Sequence, residues 1–113
     1  MAFWRRSRRP LTNTVEVTYF LSQEAEEELA SAIAFYHEQA SISVANAFLS
    51  EFMRTAGLIA GNPQLGKPIS RGLRLFPLQH FPYSLIYRVE EECIRVAAVA
   101  HQSRRPGYWN ARN

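Results

Sequence analysis

The sequence predicts an α+β domain: a two-layer sandwich with element order β-α-α-β-β-β, in which a helix hairpin packs on a mainly antiparallel sheet. One short run alternates apolar and polar residues, two longer runs repeat apolar residues at helical spacing, and three strand-like runs fill the second half. With 113 residues, 47% of them hydrophobic, the chain has material for a single modest core, so we expect one domain.

The first strand and first helix are marked by a change of period. Residues 15–19 alternate apolar and polar side chains, which is typical of a half-buried strand. Ser22 is a good helix N-cap, and glutamates follow in the first turns, where the helix dipole favours negative charge. We therefore expect a helix that begins after Ser22 and ends near Gln39.

A second helix follows almost at once. Ser41 or Ser43 can cap it, and apolar residues recur three or four positions apart as far as Ile59. Gly61 and Pro63 predict its end, since glycine accepts a left-handed cap and proline cannot continue a helix. Because only a few residues separate the two helices, we expect an antiparallel hairpin.

Three strand-like runs cover residues 72–77, 83–90 and 93–100. The short connections between them predict an antiparallel meander. Side-chain alternation then predicts two faces: Leu73, Leu75, Leu85, Tyr87, Val89, Ile94, Val96 and Ala98 toward the helices, and Arg74, Arg88, Arg95 and His101 on the opposite side. We therefore expect the opposite side to be basic.

Charge is distributed unevenly along the chain, although the formal net charge is only +3. Four arginines lie within residues 1–14. Residues 15–65 contain seven glutamates but only one arginine. Residues 66–113 carry eight lysines and arginines against three glutamates. A basic surface of this kind favours a polyanionic or acidic partner.

The first fourteen residues precede any periodic pattern, so we expect a disordered arginine-rich extension, with a nucleic-acid-contacting arm as the alternative. The glutamates that follow exclude a twin-arginine export signal, and no apolar run reaches the roughly 20 residues of a membrane span. The predicted organisation is this extension (residues 1–14), a folded domain (residues 15–109) and a C-terminal tail (residues 110–113), in the cytoplasm.

Metal and cofactor chemistry has little support in the sequence. His37, His80 and His101 lie far apart, with no cysteine or carboxylate at metal-ligand spacing, so we predict no metal. The sequence has no glycine-rich phosphate loop, nucleophile elbow or zinc-protease helix, and we predict no cofactor. Cys93 is the only cysteine, which excludes an internal disulfide and favours a reducing compartment.

The stretch from His101 to Arg112 is the densest candidate for binding. Its arginines interleave with Tyr108 and Trp109, a combination that pairs with phosphate and stacks on bases, or locks onto a protein groove. The alternative is a solvated tail with one aromatic residue packed back on the sheet. His101 is a candidate general acid or base, or else a hydrogen-bonded structural histidine.

Several segments, taken in order, resemble one known family. They are Asn62-Pro63 with Gly66, Gly72-Leu73-Arg74, the run from Phe81 to Val89, and Ile94-Arg95-Val96 leading to His101-Gln102-Ser103-Arg104. With the acidic first helix, they resemble the RelE/ParE superfamily of toxins from type II toxin-antitoxin systems over residues 15–109. The resemblance implies a small antitoxin that wraps and neutralises the chain, in a homodimer or a toxin-antitoxin hetero-oligomer.

This family divides by target. RelE-like members are metal-free, ribosome-dependent mRNA endonucleases, whereas ParE-like members inhibit DNA gyrase without a nuclease apparatus. Here Ile69 falls in the segment where some nucleases carry a glutamate, and Ser84 stands where their strand arginine lies. Neither residue can do that chemistry, because Ile69 does not titrate and Ser84 carries no charge for a phosphate. The resemblance is therefore closer to the ParE branch.

We thus expect a gyrase-inhibiting toxin whose target-binding residues are Arg74, Arg88, Arg95, His101, Arg104, Arg105, Tyr108 and Trp109. The alternative is a ribosome-dependent mRNA endonuclease, which would use Arg74, Arg88, His101 and Tyr108 as catalytic residues. A further alternative is a non-toxic module that binds the antitoxin and acts as a corepressor. The sequence favours binding over catalysis.

Overall fold

Two helices pack on one face of a six-stranded sheet in this computed structural model, which describes residues 3–7 and 17–112. The strands are β1 (Phe3–Ser7), β2 (Val17–Leu21), β3 (Lys67–Pro68), β4 (Leu73–Pro77), β5 (Tyr83–Val89) and β6 (Cys93–His101); the helices are α1 (Gln23–Gln39) and α2 (Ile42–Gly61). The spatial order is β1-β2-β6-β5-β4-β3, and only β2 and β6 run parallel. The predicted α+β sandwich is confirmed.

Serine caps begin both helices. The Ser22 hydroxyl accepts the Ala25 N–H at 3.1 Å, as the sequence predicts. For α2, Ser41 rather than Ser43 is the cap, and its hydroxyl accepts the Val44 N–H at 3.1 Å. Caps of this kind each stabilise a helix by about 1 kcal/mol. Neither α1 nor α2, the helices of the described residues, could span a lipid bilayer.

The main core lies between the helix hairpin and the sheet. Phe48 of α2 is fully buried, and its ring centroid lies 5.1 Å from those of Phe81 and Tyr83 and 5.3 Å from that of Tyr36. Burial of such aromatic groups supplies much of the energy that holds the helices on the sheet. The prediction of which residues face the helices is confirmed for Leu85, Tyr87, Ile94 and Val96.

A bulge in β6 reverses the alternation near the end of that strand. Ile86 pairs with Ala98, whereas the next residue of β5 pairs with Val96, so Ala97 is an extra residue. After the bulge Val99, not Ala98, lies in the helix-side core. The prediction that Ala98 faces the helices was therefore wrong.

The leucines of β4 also face away from the helices. Leu73 pairs with Arg88 and Leu75 with Ile86, so both belong to the opposite face, while Phe76 packs on the helix-side core. Alternation in sequence gives the two sets of a strand but does not tell which set faces which layer. The prediction for Leu73 and Leu75 was wrong for that reason. Val89, also predicted to face the helices, is 42% exposed.

The N-terminal extension contributes an edge strand. We expected residues 1–14 to be disordered, but Phe3–Ser7 pair antiparallel with β2, with Trp4 opposite Phe20. The other residues of the extension lie outside the described residues, and for them disorder stays a prediction.

The Tyr87 side chain holds the loop that follows α2. Its hydroxyl donates to the Pro63 carbonyl and accepts the Gly66 N–H, both at 2.8 Å. A Cβ at Gly66 would lie 2.5 Å from Tyr87 Oη, whereas at Gly57 in α2 it would meet nothing within 4 Å. Because Tyr87 is fully buried, it has no room to retreat from a larger residue 66.

Gly66→Ala should therefore lower the free energy of unfolding by about 1–3 kcal/mol, the usual cost of overpacking. The matched control, Gly57→Ala, should raise it by about 0.5–1 kcal/mol because alanine is the better helix former. Urea denaturation of both variants at neutral pH measures the two changes. A Gly66→Ala variant as stable as the parent would show that Tyr87 does not hold this loop.

Candidate target-binding surface

The predicted target-binding residues lie in three separate places. Arg88 and Arg95 lie on the sheet face opposite the helices, called here the open face. Arg74 and His101 lie on the helix side of the sheet. Arg104, Arg105, Tyr108 and Trp109 belong to residues 102–112, called here the C-terminal segment, which folds back across part of the open face.

Arg88 and Arg95 stand directly opposite each other across β5 and β6. Like charges in this position destabilise a sheet, and only Arg95 has an acidic partner among the described residues: its Nε lies 3.1 Å from Glu90 Oε2. The Arg95 guanidinium also lies 4.7 Å from the Phe20 ring centroid. Arg88 forms no ion pair or hydrogen bond within residues 3–7 and 17–112. The pair therefore presents positive charge that an anionic partner would neutralise.

The turn before β4 leaves room for the Arg88 side chain. A Cβ at Gly72 would lie 3.1 Å from Arg88 Nη1, and Gly72 has φ +75°, which favours glycine. Arg71 precedes it with φ 63°, an uncommon conformation for a residue with a side chain. This turn places Arg71 two residues before Leu73, the cross-strand partner of Arg88, and so brings a further cation to this end of the sheet.

Arg74 does not lie with the other two strand arginines. Its cross-strand partner is Tyr87, on the helix side, where its Nη1 donates to the Gly66 carbonyl at 2.6 Å and to the Gln64 carbonyl at 3.3 Å. The guanidinium thus satisfies carbonyls of the loop after α2. The prediction that Arg74 shares the face of Arg88 was wrong. In β4 the leucines face away from the helices and Arg74 faces toward them, which is the reverse of the predicted orientation.

Trp109 packs on the middle of the open face. It is 8% exposed and joins a second apolar cluster with Leu73, Ile86, Ala98 and Ala100. Its buried indole N–H has no hydrogen-bond partner in the described part of the chain. The prediction that the open face is basic was therefore wrong for part of that face. Its middle is apolar and covered, while Arg88 and Arg95 lie in a row farther along the strands.

The Glu28 carboxylate fastens the C-terminal segment to α1 and β6. Its oxygens accept the Val99 N–H at 2.9 Å and the Tyr108 hydroxyl at 2.8 Å, and Arg112 Nη2 lies 3.0 Å from Glu28 Oε2. Arg112 Nη1 also donates to the Ala97 carbonyl at the bulge, at 3.0 Å. Tyr108 is thus a structural residue. The role of Glu28 was missed from the sequence, because its contacts to β6 and the C-terminal segment join residues at least 71 positions apart.

His101 ends β6 on the helix side, with its ring centroid 4.9 Å from that of Tyr83. Its Nδ1 accepts the Ser103 N–H at 3.0 Å, so a neutral ring carries its proton on Nε2. The prediction that His101 shares the face of Arg88 was wrong. The extra residue Ala97 shifts the alternation of β6 by one position, so His101 faces the helix side of the sheet. Arg104 follows, with its guanidinium 3.9 Å from the Tyr108 ring centroid. Arg105 is exposed.

Two cavities meet at His101 and Arg104. The larger, about 440 Å³, lies between α1 and the C-terminal segment, and its walls include Glu24, Glu27, Glu28, Phe35, Tyr83 and Arg112. The smaller, about 170 Å³, lies beneath the C-terminal segment, and its other lining residues are Leu75, Ser84, Ala100, Gln102, Pro106 and Trp109. The described residues include no cluster of three side chains suited to a metal ion.

The four candidate nuclease residues are not assembled into one site. Arg74 holds a loop on the helix side, Arg88 lies on the open face, and Tyr108 is bound to Glu28. Burial, with the hydrogen bond to Glu28 and its charge, raises the pKa of Tyr108 to about 12. Such a phenol is a weak acid-base catalyst near neutral pH, because catalysis is most efficient when the pKa lies near the working pH.

Comparison with known proteins identifies the fold and the family. Residues 19–106 match the model of a family described as the ParE toxin of the type II toxin-antitoxin system parDE. A solved chain of the chromosomal ParDE TA system from P. aeruginosa superposes with a TM-score of 0.64 at 18% sequence identity, covering 72% of this chain and 90% of that one. A search of curated proteins gives no match.

Tyr108→Phe tests the attachment of the C-terminal segment to Glu28. A phenol whose pKa rises on folding, here from 10.0 to about 12, contributes stability fully below its unfolded pKa and loses it as pH rises through the folded value. The parent should therefore lose stability between pH 10 and pH 12 more steeply than the variant. At pH 7 the variant should be less stable by about 1.5–3 kcal/mol, since Glu28 loses a hydrogen-bond donor.

Urea denaturation at steps of pH measures both effects. Other buried tyrosines contribute equally to the two proteins, so the difference between the profiles isolates Tyr108. Parallel profiles would contradict the proposed role of the Glu28 contact.

Proposed function

Because the chain belongs to the ParE toxin family of type II toxin-antitoxin systems, we propose that it inhibits DNA gyrase and is neutralised by a cognate antitoxin. The proposal places the protein in the cytoplasm, where gyrase acts. The antitoxin is proposed from the family and from the ParDE system whose chain shares this fold.

One observation carries the gyrase proposal beyond the family match. The residues that a metal-free nuclease would need, Arg74, Arg88, His101 and Tyr108, lie on both sides of the sheet, and two of them are engaged in structural contacts. Ser84 and Ile69 also depart from the nuclease pattern. A toxin that acts by binding needs a complementary surface rather than an assembled acid, base and phosphate clamp.

The surface we assign to the target is the row of Phe20, Arg95 and Arg88, which are cross-strand neighbours on the open face. Its charge is incompletely balanced by Glu90, and Phe20 provides an aromatic surface beside it. Arginine and aromatic residues dominate the binding energy of many interfaces, which supports this row over the solvated parts of the sheet. Phe20 was not among the sequence candidates, because only the parallel pairing of β2 with β6 brings it to Arg95.

Arg88→Gln tests this surface in a gyrase supercoiling assay with purified proteins. The parent should inhibit supercoiling, and the variant should need roughly tenfold more protein, the effect of losing about 1.4 kcal/mol of a charge-assisted contact. Its stability should be unchanged or higher, since removing Arg88 relieves the repulsion from Arg95. Arg54→Gln, which removes a positive charge on α2, should inhibit as the parent does once its folding is verified.

A parallel assay with ribosomes and mRNA separates the alternatives. Gyrase that supercoils normally with the parent protein present would refute the gyrase proposal. New mRNA 5′ ends in the ribosomal A site would establish the nuclease alternative. Harmless overexpression without antitoxin would instead favour the corepressor alternative.

A further inference from the structure

The smaller cavity has the size of one amino-acid side chain. Its volume is about 170 Å³, whereas pockets for drug-sized molecules and cofactors occupy roughly 300–1,000 Å³. The space is thus too small for a nucleotide but large enough for several atoms beyond one water molecule. Leu75, Ala100, Pro106 and Trp109 provide apolar walls suited to the methylene groups of a side chain.

The polar side chains that line this cavity can all donate hydrogen bonds, and none pairs with a carboxylate in the described part of the chain. Ser84 is 6% exposed, and its hydroxyl forms no hydrogen bond in the described part of the chain. The hydroxyl is thus free to donate to a ligand that enters the cavity, and a charged acceptor makes such a hydrogen bond stronger than a neutral one. Arg104 and His101 also line the cavity. His101 keeps Nε2 as its free donor, because Nδ1 already accepts the Ser103 N–H.

The two cavities differ in the charged residues that line them. The larger one is lined by three glutamates together with Arg104 and Arg112, whereas no Asp or Glu is among the residues that line the smaller one. A cation would therefore find no acceptor of opposite charge in the smaller cavity. A carboxylate on a short apolar stem would satisfy both its apolar walls and its donors.

We propose that the smaller cavity is a pocket for an acidic side chain presented by the antitoxin. The pocket would receive the stem of a glutamate or aspartate between Leu75 and Trp109, with the carboxylate accepting hydrogen bonds from Ser84 and Arg104. This assignment rests on the proposed function for the identity of the partner, but the pocket chemistry rests on the cavity alone.

A minimal probe tests the chemistry of the pocket directly. The full chain, labelled with ¹⁵N, is titrated with N-acetyl-glutamate N-methylamide and followed by the amide signals of Ser84 and Ala100 and the indole signal of Trp109. We expect saturable shifts with a Kd on the order of 1 mM, as a single anchored side chain gives. The neutral isostere N-acetyl-glutamine N-methylamide should bind about tenfold more weakly because it lacks the charge.

Ser84→Ala is the decisive variant. It removes a hydroxyl without a partner, so the unfolding midpoint should not fall, yet the glutamate probe should bind about tenfold more weakly. Arg104→Gln should weaken the probe similarly. Arg105→Gln removes the same charge one residue away and does not line the cavity, so it should leave probe binding within about twofold, the size of surface charge effects.

Four outcomes would overturn the assignment. Equal shifts with the glutamate and glutamine probes would remove the role of charge, and unchanged binding to Ser84→Ala would remove the role of the hydroxyl. Tighter binding of inorganic phosphate at the same signals would assign the pocket to a nucleic acid instead. Gyrase inhibition by the parent with no probe binding would overturn the pocket alone, whereas probe binding without gyrase inhibition would overturn only the proposed target.

Discussion

The Glu28 carboxylate connects three parts of the chain that are distant in sequence. It accepts hydrogen bonds from the backbone of β6 and from Tyr108, and it pairs with Arg112. The Glu28 and Arg112 side chains are each 17% exposed, so their interaction is partly shielded from the solvent that weakens surface ion pairs. Loss of this carboxylate would leave several partly buried donors unpaired at once, which is more costly than loss of a surface contact.

The position of the C-terminal segment determines the character of the open face. With Tyr108 and Arg112 held at α1, Trp109 lies over Ile86 and Ala98 and closes the middle of the sheet. The same arrangement forms the roof of the smaller cavity above Ser84. A single acidic residue on a helix therefore separates the open face into a covered apolar part and an uncovered part that carries Arg88 and Arg95.

The opposition of Arg88 and Arg95 is unfavourable in the isolated chain. Directly opposed like charges oppose sheet pairing, and Glu90 offsets only the charge of Arg95. Real proteins tend to depart from local stability rules at functional positions, where a partner supplies the missing interaction. The pair is therefore better understood as part of an interface than as part of the core, in keeping with the target-binding surface proposed for it.

The sequence by itself determined the two serine-capped helices, the strands β2, β4, β5 and β6, and the sandwich, but not β1 or β3, because caps and apolar periods act within a few residues. Of the four residues that it placed on the side opposite the helices, Arg88 and Arg95 do lie there. The structure alone decided that Ala97 is an extra residue, which places His101 on the helix side of the sheet, and that Arg74 faces the helices. It also decided that Glu28 fastens Tyr108 and Arg112. Register and long-range hydrogen bonds depend on packing between distant segments, and alternation within one strand carries no information about its neighbour.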